Sequence, residues 1–247
     1  MVAARESARL LLRHWLVIPA TCGLILTWGL FAYVIGGIFG GSTVLGMITG
    51  LILGLIQAAC ISTFYGWIGD VSVNRAPTWR QFRYETFVSV ISMGFFLFLV
   101  QLSVQALQGG GGANAVTLFL QLALVIWCNP MPEIIEHIAP DGMNGVMLCY
   151  EFMKEHGVAW LGAILLVMSP LLLLSGPSDL LTVISSMHPL FPLGALIMPW
   201  MKLMSPLFDG ASSGYAVGAM TLLVSSILGL WTMVFRSVLF QRLSGRV

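Results

Sequence analysis

Two runs decide the fold: Trp15–Phe39, WLVIPATCGLILTWGLFAYVIGGIF, and Thr43–Trp67, TVLGMITGLILGLIQAACISTFYGW. Neither contains a charged residue, and the link between them, Gly40-Gly41-Ser42, has none either. About 20 apolar residues in a helix cross a hydrocarbon layer about 30 Å thick. Each run is long enough to cross, and the short uncharged link turns the chain straight back. The rest of the composition agrees. Hydrophobic residues make up 58% of the 247 and charged residues 9%, against about 25% charged in an ordinary soluble domain. So few charges cannot cover a soluble body of this size without leaving large apolar patches. A mean hydropathy of +0.94 points the same way. The chain reads as a polytopic membrane protein, with no residues to spare for a large catalytic or nucleic-acid-binding domain. A net charge of +1 gives no bulk field to recruit nucleic acid.

Outward from these runs, further apolar stretches give six expected spans: 15–39, 43–67, 86–107, 115–130, 158–175 and 215–239. Arg5, Arg9 and Arg13 precede the first, in the manner of a signal peptide, but the apolar run is too long to be a removable one. It reads as an anchor that stays. Arginines also gather at Arg75, Arg80 and Arg83 and at Arg236, Arg242 and Arg246, whereas Gly40-Gly41-Ser42 and the glycine run 109–112 lie among uncharged residues. By the positive-inside rule the basic regions are cytoplasmic and the glycine turns outside. The expectation is an all-α, single-domain membrane helix bundle over 1–247, with six transmembrane helices, both termini cytoplasmic and interfacial helices on both sides. Residues 180–201 are uncharged and long enough to span, but a seventh crossing would put the C-terminal arginines outside. Pro189, Pro192, Pro199 and Pro206 would also break the helix. The segment 177–210 is therefore expected to lie on the outer face or dip into it.

Two non-spanning segments are expected inside. In 70–85, Thr78 and Gln81 fit a capping box for the third span. Arg75, Trp79, Arg80 and Arg83 are placed to meet lipid headgroups. In 131–157, Met143, Val146, Met147, Tyr150 and Met153 recur at helical spacing, predicting an amphipathic surface helix over 143–156. Its acids Glu151 and Glu155 suit a protein partner better than anionic lipid.

The most specific pattern is Gly46, Gly50, Gly54, Ala58, Ser62, Gly66 in the second span. Small residues every fourth position leave a smooth ridge against which another helix backbone can lie, as packing or partner interface. Ionisable residues inside the spans would point to a transport path. The expectation is that there are essentially none, only amides and hydroxyls near mid-depth, Gln57, Gln101, Gln105 and Gln121 among them, with Gln57 and Gln121 serving interhelical bonds. Glu133-Ile-Ile-Glu136-His137 lacks the spacing of a zinc or di-iron site. It reads instead as a short helix with Pro132 in its first turn, Glu133 at its positive end and His137 at its negative end. Met198, Met201 and Met204 read as apolar filler, and Cys22, Cys60, Cys128 and Cys149 as small buried hydrophobes. No nucleophile motif or phosphate loop occurs. The sequence thus predicts no catalytic residue, no metal and no cofactor.

Trp79-x-x-Phe82, then Asn129-Pro130-Met131-Pro132-Glu133-Ile134-Ile135, Tyr150-Glu151-Phe152 and Trp160 form a recurring style of sequence. Together they resemble small polytopic bacterial inner-membrane proteins, akin to the membrane domain beside some glycerophosphodiesterases. The likeness covers about residues 60–165, with Arg236, Phe240 and Leu243 adding to it. It implies a multi-pass protein of the bacterial inner membrane and no catalytic residue. The layout is also similar to permease subunits of ABC-2 type exporters, although Asp70-Val71-Ser72-Val73-Asn74 stands where their inner-loop signature would be. The expected function is a non-catalytic subunit or assembly partner of a larger membrane complex. The alternative is the permease of an ATP-driven exporter. Expected partners are the lipid bilayer and other membrane subunits, a second copy of this chain among them.

Overall fold

The computed structural model describes residues 2–39, 43–78, 82–106, 115–174 and 215–245. Among these every regular element is an α-helix: α1 (Val2–Arg13), α2 (Val17–Phe39), α3 (Thr43–Ser72), α4 (Tyr84–Ala106), α5 (Ala115–Trp127), α6 (Met131–Ile138), α7 (Gly142–Leu174) and α8 (Tyr215–Leu243). Three of them, α2, α3 and α8, contain stretches long and apolar enough to cross a membrane, and Tyr84–Val100 of α4 is a shorter apolar helix. The glycine turns, the segment 177–210, Trp79 and Arg80 lie outside the described residues.

The bundle is tightest at one end. There Ser72 at the end of α3 meets Gln241 near the end of α8, whose Nε2 donates to Ser72 Oγ at 2.8 Å. α1 crosses the same end of α8 and buries Ala3, Ser7 and Leu11, one residue per turn. The largest enclosed side chains, including Tyr65, Met93, Ile135, Trp160 and Met233, come from α3, α4, α6, α7 and α8. α2 is less enclosed, few residues of its apolar stretch being fully buried where most of those in α8 are. This α6 end of the bundle positions the polar clusters described below.

Three expectations change. The surface helix 143–156 and the span 158–175 are one continuous helix, α7, of 33 residues. At about 1.5 Å per residue it is about 50 Å long, more than the hydrocarbon needs. It continues because its inward face continues: Gly145, Cys149, Phe152, Met153 and Trp160 are all buried, while Glu151, Lys154 and Glu155 face out. Met143, Met147 and Tyr150, expected on the apolar face of a surface helix, are more than half exposed. Secondly, Thr78 does not cap α4, which opens at Tyr84. The Thr78 hydroxyl donates instead to Asp70 Oδ2 at 3.0 Å. Thirdly, α3 and α8 run past residues 67 and 239 to Ser72 and Leu243 and carry ionisable groups with them.

Close approach of α4 and α7 depends on glycine. A Cβ on Gly142 would lie 2.8 Å from the Ser92 carbonyl oxygen, a backbone atom that cannot step aside. Ser89 Oγ ties the same contact by donating to the Pro140 carbonyl at 2.6 Å. Gly142→Ala should therefore destabilise by about 1–3 kcal/mol, as overpacking does. Gly54→Ala, whose Cβ meets nothing within 4 Å, should leave the melting temperature unchanged or slightly raised. Thermal unfolding of the two variants in detergent checks the contrast.

Candidate functional site

α6 spans eight residues, with Pro130 as its N-cap and Pro132 inside its first turn. A backbone N–H would be unsatisfied there anyway, so proline costs little. Ala139 ends the helix in the left-handed region at φ 48°, its N–H reaching the carbonyls of Ile134 and Ile135. Ala139 carries a Cβ in that region and is held there by both bonds. All six residues from Met131 to Glu136 are buried. A short helix enclosed on every side must turn its two glutamates into the protein, and an unpaired charge there is costly.

Glu133 is fully enclosed and meets Arg236 of α8 as a fork: Nε donates to Oε1 at 2.6 Å and Nη2 to Oε2 at 3.0 Å. Arg236 Nη2 also donates to the Asn129 carbonyl at 2.5 Å. The guanidinium carbon lies 5.6 Å from the Trp160 ring centroid, within cation–π range. Trp160 Nε1 in turn donates to Asn129 Oδ1 at 2.9 Å. Phe152 packs edge-on against Trp160, and Phe240 lies beside both. Arg236 thus joins α5–α6, α7 and α8 in one network. Burial pushes the Glu133 carboxyl up from its ordinary value, and Arg236 pulls against that shift.

One turn along, Ser237 Oγ donates to Glu136 Oε1 at 2.5 Å. His137 Nε2 lies 3.0 Å from that same carboxylate oxygen and 3.0 Å from Ser237 Oγ. The His137 ring stacks on Phe240, their planes 5° apart. Serine, histidine and glutamate meet here, but not as a nucleophile relay. In a relay the serine proton passes to one ring nitrogen and the acid holds the other. Here one nitrogen faces both, and the Ser237 proton is already committed to the carboxylate. Glu136 Oε2 is buried with no hydrogen bond among the described residues. Its Cγ lies 3.2 Å from where a Cβ of Gly69 would be, so α3 and α6 touch at a glycine. Among the described residues no three His, Cys, Asp or Glu side chains converge as a metal site requires.

A second pair closes α3 onto the start of α4. Asp70 Oδ1 accepts from Arg83 Nη2 at 2.5 Å, and Oδ2 accepts from the Thr78 N–H and hydroxyl, each at 3.0 Å. The Arg83 side chain lies over Gly66, and its carbonyl accepts from Ser62 Oγ at 3.2 Å.

The expected site residues therefore divide. Ala58, Ser62 and Gly66, the lower half of the small-residue ridge, pack inside this chain. At Gly46, Gly50 and Gly54, the upper half, an added Cβ meets open space. Glu151 and Glu155 stand exposed on the outward face of α7, and Arg75 is exposed. Arg83, expected among headgroups, is 35% exposed and bound to Asp70 instead. Ionisable groups are buried all the same, Asp70, Glu133 and Glu136 outside the expected spans and Arg236 near the end of the last one. Arg236 could have been found, as a lone cation in the apolar run Trp231–Phe240 that needs a partner. Its partner could not, because Glu133 lies 103 residues away.

Removing one member of the pair leaves a buried charge, which costs about 3–5 kcal/mol. Arg236→Gln should lower stability by that order, and adding Glu133→Gln should recover a large part of it. Thermal unfolding of the single and double variants reads this as a coupling. Two additive losses would refute it.

Comparison with protein families, with curated proteins and with solved structures finds no match to this chain.

Proposed function

We propose that this chain is a non-catalytic integral subunit, or assembly partner, of a larger complex in the bacterial inner membrane. In this reading it crosses the bilayer six times with both termini cytoplasmic. One observation carries the proposal: the ridge on α3 is only half used. Ala58, Ser62 and Gly66 receive Arg83 and neighbouring helices, while at Gly46, Gly50 and Gly54 of the same ridge an added Cβ meets open space. A ridge of small residues lets a partner helix approach closely where lipid supplies no hydrophobic drive. The partner is another membrane subunit or a second copy of this chain.

Polar chemistry at the α6 end supports the same reading. Arg236 bonds to Glu133, Ser237 to Glu136 and Arg83 to Asp70, each pair joining two parts of the bundle. They hold helices in place. A groove of about 340 Å³ between α5 and α7, lined by Trp127, Tyr150, Met153, Lys154 and Val158, is apolar over most of its wall and opens to the side.

Purification from native membranes in mild detergent tests the proposal. A co-purifying membrane subunit or a stable homo-oligomer is expected, and Gly50→Leu with Gly54→Leu should abolish it while the chain itself stays folded. A co-purifying ATPase would favour the exporter permease instead, and a lone monomer would overturn both. Topology has its own check: single cysteines at Ser178 and Ser212 should label from outside, and one at Ser244 from inside.

A further inference from the structure

We propose that α1 is a receptor for anionic phospholipid headgroups, which it binds through Arg5, Arg9 and Arg13, with Arg75 extending the surface. This rests on the membrane reading above and adds a lipid class to it. α1 has 12 residues, about 18 Å of helix, too short to cross. Its inner face is already engaged: Ala3, Ser7 and Leu11 are buried, and the Ala4 carbonyl accepts from Trp231 Nε1 at 3.2 Å. The one acid of α1, Glu6, is drawn toward α8 by Arg242 at 2.6 Å. What remains outward is a row of cations one turn apart.

Arg5, Arg9 and Arg13 are exposed and, like Arg75, make no ion pair among the described residues. His14 Nε2 lies 3.4 Å from Asn74 Oδ1, which brings the end of the row beside Arg75. Large apolar side chains stand among these cations: Val2 is 69% exposed, Leu12 75%, Trp15 59% and Leu16 53%. An acidic protein surface would match the arginines but leave those four side chains without an apolar neighbour. The boundary between headgroups and acyl chains accepts both, with phosphates over the guanidinium groups and hydrocarbon under the apolar ones. The row therefore fits a negatively charged leaflet.

Each basic residue near such a surface favours anionic lipid by about 1 kcal/mol, roughly fivefold. Three of them, reduced by salt screening, give a preference on the order of 10- to 100-fold. The experiment is native mass spectrometry of the full chain from mild detergent, titrated with phosphatidylglycerol or phosphatidylcholine. Wild type should retain phosphatidylglycerol by that margin, and about 0.5 M salt should erode it. R5Q/R9Q/R13Q should bind both lipids alike, whereas R5K/R9K/R13K should keep the preference. Should the glutamine variant misfold, the lysine variant and the salt titration decide. Equal binding of both lipids by wild type, or a preference untouched by salt, overturns the proposal, as does an acidic protein that the arginines retain in place of lipid. Failure of the membrane reading looks different, because the chain would then wash out of membranes with alkaline carbonate before any lipid is added.

Discussion

The Glu133–Arg236 pair is the constraint on which the rest of the α6 end depends. A carboxylate with no exposure is expensive to hold charged, and its cost is offset only by good geometry and further hydrogen bonds. Both are present: a two-bond fork, the Asn129 carbonyl on the same guanidinium, and the Trp160 ring beside it. These groups come from the α5–α6 link, α6, α7 and α8, so the pair ties those four parts of the chain together. An apolar pair of equal volume would hold helices as well, whereas losing one partner of this pair leaves a costly buried charge. Asp70 and Arg83 likewise tie α3 to the start of α4.

This gives the molecule two unlike ends. At the α6 end polar groups bond across helices, Gly69 and Gly142 admit close approach, and α1 covers the end of α8. Away from it, α2 packs on α3, and both expose large apolar side chains such as Leu30, Tyr33, Leu51 and Leu55. A lipid-facing surface needs no such order, whereas a surface kept smooth by Gly46, Gly50 and Gly54 suits a helix from outside the chain. The proposed division of labour follows: one end fixes the fold, the other meets a neighbour, and α1 sits against the leaflet.

Much of the helix plan was legible because long apolar runs, by length and composition, mark helices able to cross a membrane. The limits expected for 15–39, 86–107 and 115–130 lie within a few residues of α2, α4 and α5. The short helix at Glu133 was legible too, from Pro132 in its first turn. The misreadings share a cause. Glu151, Lys154 and Glu155 suggested a helix lying apart from the span, since charge was read as distance from the bundle. A continuous helix can turn its charges outward while Phe152 and Trp160 stay in the core. Arg83 and Arg236 were read as headgroup or terminal arginines for the same reason, and both are held by buried acids.

Composition and periodicity by themselves determined that the protein is helical, that α2, α3 and α8 can cross a membrane, and where small residues form a ridge. These are local properties, set by each side chain's preference for lipid or water and by the pitch of a helix. Tertiary structure alone decided that Glu133 belongs to Arg236, that Asp70 belongs to Arg83, and that the ridge is packed at Ser62 yet open at Gly50. Pairing across a hundred residues leaves no trace in local pattern, because a charge declares its need for a partner without naming it.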